Sequence, residues 1–87
     1  MLNSNTVSIP QGMFRGCTSL SSINLSNIRT INKEAFYGCT SLQSIDLSNI
    51  NVIGNEAFRD CTGLTTITGT VQPTNVGSGS FRGCTNL

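Results

Sequence analysis

The chain has 87 residues, of which 10% are charged and 37% are apolar, with a formal net charge of +1 and no histidine. That length holds one domain, and the apolar share is that of a folded chain rather than a disordered one. The near-neutral balance leaves no basic footprint for nucleic acid or an anionic membrane, so neither is expected as a partner.

No run approaches the roughly 18 apolar residues of a transmembrane helix, so no membrane insertion is expected within this segment. The start, Met1-Leu-Asn-Ser-Asn-Thr-Val7, lacks the basic and apolar regions of a secretory signal. Residues 1–13 read as the tail of a preceding repeat, because Ile9 aligns with Ile31 and Met13-Phe14 with Ala35-Phe36. Upstream of Val7 the apolar register fades and an irregular end is expected.

Phe14-Arg-Gly-Cys-Thr-Ser-Leu20 returns as Phe36-Tyr-Gly-Cys-Thr-Ser-Leu42, Phe58-Arg-Asp-Cys-Thr-Gly-Leu64 and Phe81-Arg-Gly-Cys-Thr-Asn-Leu87, at spacings of 22, 22 and 23. A fixed period of that size marks a solenoid, in which one supersecondary unit stacks on the next. The chain is read as a single domain over 1–87, with repeats at 14–35, 36–57 and 58–80 and partial units at 1–13 and 81–87. It ends where a new strand would begin, without an evident polar cap. It is therefore expected to be an excerpt of a longer array, or else to self-associate end to end.

Within each unit, Phe-x-x-Cys-x-x-Leu puts apolar residues on one face of a short helical turn. Asn32 and Asn55 stand just ahead of these turns, where an Asn side chain can cap free N–H groups. Gly16, Gly38, Asp60 and Gly83 precede the cysteines, and their types suit the left-handed residue of a helix C-terminus. Leu20-x-x-Ile23-x-Leu25, repeated as Leu42-x-x-Ile45-x-Leu47, then predicts a short strand with alternate residues turned inward. Its outward residues are Ser22, Asn24 and Ser26, then Ser44, Asp46 and Ser48, then Thr66, Thr68 and Thr70. A further apolar group (Ile28 and Ile31; Ile50, Val52 and Ile53) closes each coil. The third unit departs from this pattern, with Gly69 in the Leu25/Leu47 column and an extra residue near Val71-Gln-Pro73. Gly77 and Gly79 lie where a helical turn is expected, so residues 69–80 are predicted to be the loosest part of the interior.

Each candidate site has a plainer reading beside it. Cys17, Cys39, Cys61 and Cys84 occupy one column. Neighbouring copies on adjacent strands are within geometric reach of a disulfide, but translational copies of one position favour a ladder of buried free thiols. Without a CxxC pair or a histidine, zinc is not expected. The phenylalanine column reads as a core ladder rather than a ligand platform. The Arg15, Arg59 and Arg82 column, broken by Tyr37 and flanked by Glu56 and Asp60, reads as a solvated face rather than a basic stripe. Asn24-Leu-Ser26 matches a glycosylation sequon, a tripeptide frequent by chance and here on a predicted strand. No phosphate-binding or dinucleotide loop, no paired carboxylates and no activated nucleophile are legible, so no cofactor, no metal and no catalysis are expected.

The combined pattern Phe-x-x-Cys-x-x-Leu-x-x-Ile-x-Leu closely resembles the BspA-type leucine-rich repeats, across three complete periods and a partial one at each end. Ser26-Asn27 and Ser48-Asn49 stand where that family often has Pro after the strand. Asn27 and Asn49 fall out of register with the asparagine ladder of other leucine-rich repeats, so no such ladder is carried over. The resemblance implies an α/β solenoid: a right-handed leucine-rich-repeat horseshoe with a short parallel β-sheet and short helical turns outside. It also implies a cell-surface or secreted protein engaged in adhesion or host binding.

The first functional reading is a protein-interaction module. It would bind a protein partner through the exposed sheet face, with Ser22, Asn24, Ser44, Asp46, Thr66 and Thr68 as candidate contacts. The alternative is a structural spacer or self-assembling scaffold with no dedicated ligand. An ice- or carbohydrate-binding array on Thr66, Thr68 and Thr70 is disfavoured, because the threonines do not recur in the other repeats.

Overall fold

A computed structural model describes residues 7–87. The chain winds in successive coils that stack in parallel, so that residues one period apart are neighbours. Five short strands build two ladders: β1 (Ser8–Ile9), β2 (Thr30–Ile31), β3 (Ser44–Asp46), β4 (Val52–Ile53) and β5 (Thr66–Thr68). β1, β2 and β4 form one parallel sheet, with Ile9 opposite Ile31 and Ile31 opposite Ile53, and Val76 continues it through a bridge to Ile53. β3 and β5 form the other, with Ser44, Ile45 and Asp46 opposite Thr66, Ile67 and Thr68.

The second ladder and its alternation follow the sequence pattern. Ile45 is buried while Ser44 and Asp46 are exposed. The first ladder reads from sequence only as an apolar closure of each coil, yet it has the greater number of strands. Its β-branched pairs Thr30-Ile31 and Val52-Ile53 suit a pleated, half-buried surface. In the first unit the predicted strand over Leu20–Leu25 does not form. Residues 21–25 carry no strand, and the backbone link there is from Gln43 N–H to the Ser21 carbonyl.

The helical turns are corrected by the structure. Among the described residues there is no α-helix, and the one 3-10 helix, at Pro73–Asn75, absorbs the extra residue of the third unit. The cause is a division of labour along the backbone. Ala35, Tyr37 and Cys39 donate their N–H groups three residues back, to Asn32, Glu34 and Phe36. Glu34, Phe36 and Gly38, which alternate with them, donate instead to Asn55, Ala57 and Arg59 of the next coil, at 3.0, 2.7 and 2.8 Å. A helix needs consecutive N–H groups bonded within the segment, so this alternation excludes one.

Two columns of left-handed residues accompany the alternation. Gly16, Gly38, Asp60 and Gly83 have φ of 73°, 77°, 60° and 82°, as their types suggested. Gly12, Glu34, Glu56 and Gly79 form the other column, at 66°, 58°, 59° and 67°. Gly79 is therefore fitted to its place rather than being a weakness in a helix. Asn32 and Asn55 do not cap helices either. Asn32 Nδ2 donates to the Ile9 carbonyl at 2.8 Å, and Asn55 Oδ1 accepts from Ser78 N–H at 2.9 Å, so both tie one coil to another.

The core runs along the stack. Phe14, Phe36, Phe58 and Phe81 are stacked face to face, with ring centres 5.3, 5.0 and 5.3 Å apart. Leu42, Leu64, Ala35, Ala57 and the Ile9/Ile31/Ile53 column pack around the inner rings. Burying this apolar area is the main driving force for the fold.

Candidate functional site

The exposed face of β3 and β5 carries the candidate residues. Side chains alternate across a strand, so Ser44 and Asp46 share one side with Thr66 and Thr68, each beside its partner in the register. All four are exposed, as are Ser22 and Asn24. The structure brings Ser44, Asp46, Thr66 and Thr68 together as a paired patch. Ser22 and Asn24 continue it in sequence register but lie outside the paired strands.

Asp46 has a local task. Its Oδ1 accepts Ser48 N–H at 2.9 Å and also bonds the Ser48 hydroxyl, which closes the turn after β3. These bonds to Ser48, chiefly the one from its hydroxyl, together with a weaker one from Thr68, hold the carboxyl below its usual range. Asn24 has the same task in the preceding coil, accepting Ser26 N–H at 2.9 Å. The lone charge of the patch is therefore bound to its own turn.

Beside the ladder runs a shallow groove lined by Ser19, Ser21, Thr40, Ser41, Gln43, Gly63 and Thr65. Sequence reasoning does not single out these positions. Their signal is a column of small residues, Ser19, Ser41 and Gly63, between the cysteine turn and the strand. Gly63 is demanded by the approach of the neighbouring coil: an added Cβ would stand 2.4 Å from the Thr40 carbonyl oxygen.

The opposite edge, formed by the turns, is charged but balanced. Arg15 pairs with Glu34 at 3.2 Å, and Arg59 pairs with Glu56. The guanidinium carbons of Arg15 and Arg59 lie 4.7 and 5.4 Å from the centre of the Tyr37 ring. Tyr37 thus packs with both arginines instead of interrupting a basic stripe. The Glu56 carboxylate, above all, makes Arg59 hold its proton more tightly.

The four cysteines are free thiols, and Cys39, Cys61 and Cys84 are buried. They do more than fill space. Cys39 Sγ donates to the Phe14 carbonyl at 3.1 Å, Cys61 Sγ to Phe36 at 3.1 Å and Cys84 Sγ to Phe58 at 3.0 Å, so each thiol ties its coil to the one before. Burial pushes Cys39 up to about 11 and Cys61 up to about 12, and it raises Cys84 as well. Thiols held protonated in this way are poor nucleophiles. Among the described residues, no group of three His, Cys, Asp or Glu side chains is placed to hold a metal ion, and no helix is long and apolar enough to cross a membrane.

With this geometry in place, the comparisons with known proteins are specific. Residues 1–87 match the family described as "BspA type Leucine rich repeat region (6 copies)". A solved leucine-rich repeat protein from Bacteroides ovatus superposes with a TM-score of 0.85 and 40% sequence identity, over 94% of this chain. The match spans 22% of that protein's length. No curated protein matches the chain. The family match covers every residue, and the chain belongs to the BspA-type leucine-rich repeat family.

Proposed function

We propose that the chain is a non-catalytic protein-interaction module. In this reading its coils form a right-handed leucine-rich-repeat solenoid, displayed on a cell surface or secreted, and used in adhesion or host binding. The observation that carries the docking surface is the in-register, exposed patch of Ser44, Asp46, Thr66 and Thr68, extended by Ser22 and Asn24. Short hydroxyl and amide side chains let a partner approach closely and hydrogen-bond without displacing bulky groups. The absence of catalysis is supported by thiols raised by burial and by a sequence without histidine. Family membership supports the interaction role in general and leaves the partner to experiment.

The test is a binding screen of the purified chain against secreted and cell-surface proteins, repeated with face variants. Ser44→Arg together with Thr66→Arg is expected to weaken a specific partner about tenfold or more, a loss of about 1.4 kcal/mol. Lys33→Glu, on the turn edge, should leave binding unchanged. Binding that survives the ladder changes would move the docking site to another face. Concentration-dependent polymers without any partner would favour the spacer or self-assembling scaffold. Surface biotinylation of intact source cells tests the location independently.

A further inference from the structure

We propose that Asn24, within Asn24-Leu25-Ser26, is an acceptor site for an N-linked glycan. The tripeptide alone is weak, since Asn-x-Ser with x other than Pro arises often by chance. Its placement strengthens it. The sequence pattern puts it on a strand, where the backbone would be tied into a ladder; the structure puts it in a strand-free stretch that leads into a turn. Asn24 and Ser26 are both exposed, while Leu25 between them is only 4% exposed and anchors the tripeptide to the core.

The local geometry joins the two polar residues of the motif. Asn24 Oδ1 accepts Ser26 N–H at 2.9 Å. Among the described residues Asn24 Nδ2, the nitrogen that would carry the sugar, has no hydrogen-bond partner. The next coil provides a natural control in Asp46-Leu47-Ser48. There too the outer residues are exposed, the leucine is 4% exposed, and Asp46 Oδ1 accepts Ser48 N–H at 2.9 Å. In that copy the Ser48 hydroxyl also bonds Asp46 Oδ1. This turn can therefore bring the third residue's hydroxyl onto the first residue's side chain, the two groups an Asn-x-Ser acceptor must present. Aspartate has no amide nitrogen, so of these two equivalent turns Asn24 alone is competent.

The co-reactant is an oligosaccharide linked to a lipid diphosphate, supplied by an oligosaccharyltransferase. A bond forms between Asn24 Nδ2 and the anomeric carbon, and the carbon–oxygen bond to the diphosphate breaks. The electron pair leaves with the lipid diphosphate, and one amide proton passes to a base of the transferase or to that leaving group. The site does not depend on the docking role, but it rests on the secreted or surface location proposed above. If both hold, the glycan would cover the first-coil end of the face and confine docking to Ser44, Thr66 and Thr68.

The experiment is secretion of the whole chain from eukaryotic cells behind a signal sequence, with an established acceptor sequon appended as a reporter. The expected result is a glycan on Asn24 that peptide N-glycosidase removes, leaving Asp at that position. Asn24→Gln and Ser26→Ala should abolish it. Asn24→Asp keeps a side-chain oxygen at the turn and should abolish the glycan in a chain that circular dichroism shows to be folded. Asp46→Asn should add a second glycan, on the equivalent turn. An unmodified Asn24 in chains whose reporter sequon is glycosylated overturns the proposal.

Discussion

The two edges of the stack use the same period for different ends. On the turn edge every coil is fastened to the next by alternate backbone bonds, a phenylalanine stack and a thiol ladder. On the edge that carries β3 and β5, the pairing is two strands of three residues, and the outward side chains are short and exposed. The interlocking contacts lie on the turn edge, and the short exposed side chains of the other edge make few of them. Such a separation would let a repeat protein vary its exposed face without unfolding, and it can be broken from either side.

The strongest test of the turn edge is Phe58→Ala. Phe58 is fully buried and stacks between Phe36 and Phe81, so no solvent-facing rearrangement can fill the hole. A loss of about 3–5 kcal/mol is expected, a large share of the roughly 5–15 kcal/mol stability of a small domain. Urea unfolding followed by circular dichroism measures it. A loss below about 1 kcal/mol would mean that the ring stack is not the centre of stability.

Next in size is a contrast between two glycines. At Gly77 an added Cβ would stand 2.5 Å from Asn55 N and from Asn55 Oδ1, the atom that receives Ser78 N–H. Gly77→Ala should therefore cost toward the upper end of roughly 1–3 kcal/mol, by forcing two coils apart. Gly38 has φ of 77° and no neighbour nearer than 3.9 Å to such a Cβ, so Gly38→Ala pays only for backbone conformation, about 1–2 kcal/mol. Reversal of that order in chemical denaturation would show that the third coil yields easily, as the sequence pattern of residues 69–80 predicts. Hydrogen exchange gives a second reading of the same stretch. Among its residues of described burial Ser80 is the buried one, whereas Phe36–Leu47 buries Phe36, Cys39, Leu42, Ile45 and Leu47, so residues 69–80 should exchange faster.

These contrasts show what is legible in the residues. The period, the Phe and Leu core columns, the Gly16/Gly38/Asp60/Gly83 turn column and the register of Ser44 with Thr66 all come from side-chain type and spacing. Helix is the wrong expectation because Glu34 and Glu56 are ordinary helix formers by type, while their left-handed backbone is imposed by bonds to the next coil. Such bonds join residues a whole period apart and leave no local signature. The hint lies in Gly12 and Gly79, which fill the same column at both ends of the stack. The thiols read as small apolar residues for a similar reason, since their acceptors, the phenylalanine carbonyls, belong to the preceding coil. The exposed face is legible as to exposure, but the engagement of Asp46 by Ser48 is not among the expectations, although a Ser two residues after an Asp is the usual signal of such a turn.

The thiol ladder makes a smaller and pH-dependent contribution. Cys61→Val keeps an apolar side chain and removes the donor to the Phe36 carbonyl, so a loss of about 1 kcal/mol is expected. The native thiols keep their protons to about 11 at Cys39 and about 12 at Cys61, against an ordinary value of 9.0. The unfolded chain therefore binds fewer thiol protons above pH 9.0. Stability from this source is complete below that pH and falls as pH rises toward 11 and 12. Urea midpoints on either side of pH 9.0 should show the decline, and a double variant, Cys39→Val with Cys61→Val, should flatten it. A decline unchanged in that double variant would assign it to other groups.

The smallest expected effect sits on the other edge and tests the separation most directly. Thr66 and Ser44 are exposed, opposite each other in the register, and neither supplies a core contact. Thr66→Arg and Ser44→Arg should each change stability by no more than about 0.5 kcal/mol, the usual range for a surface substitution away from special features. Together they place like charges on directly opposed positions of a parallel pair, so a modest excess over the sum is expected, and it should shrink as salt is added. A loss comparable to that of Phe58→Ala would show that the short β3–β5 ladder holds the stack together. The face could not then vary freely, and recognition would have to be sought on the groove of Ser19, Ser41 and Thr65 beside it.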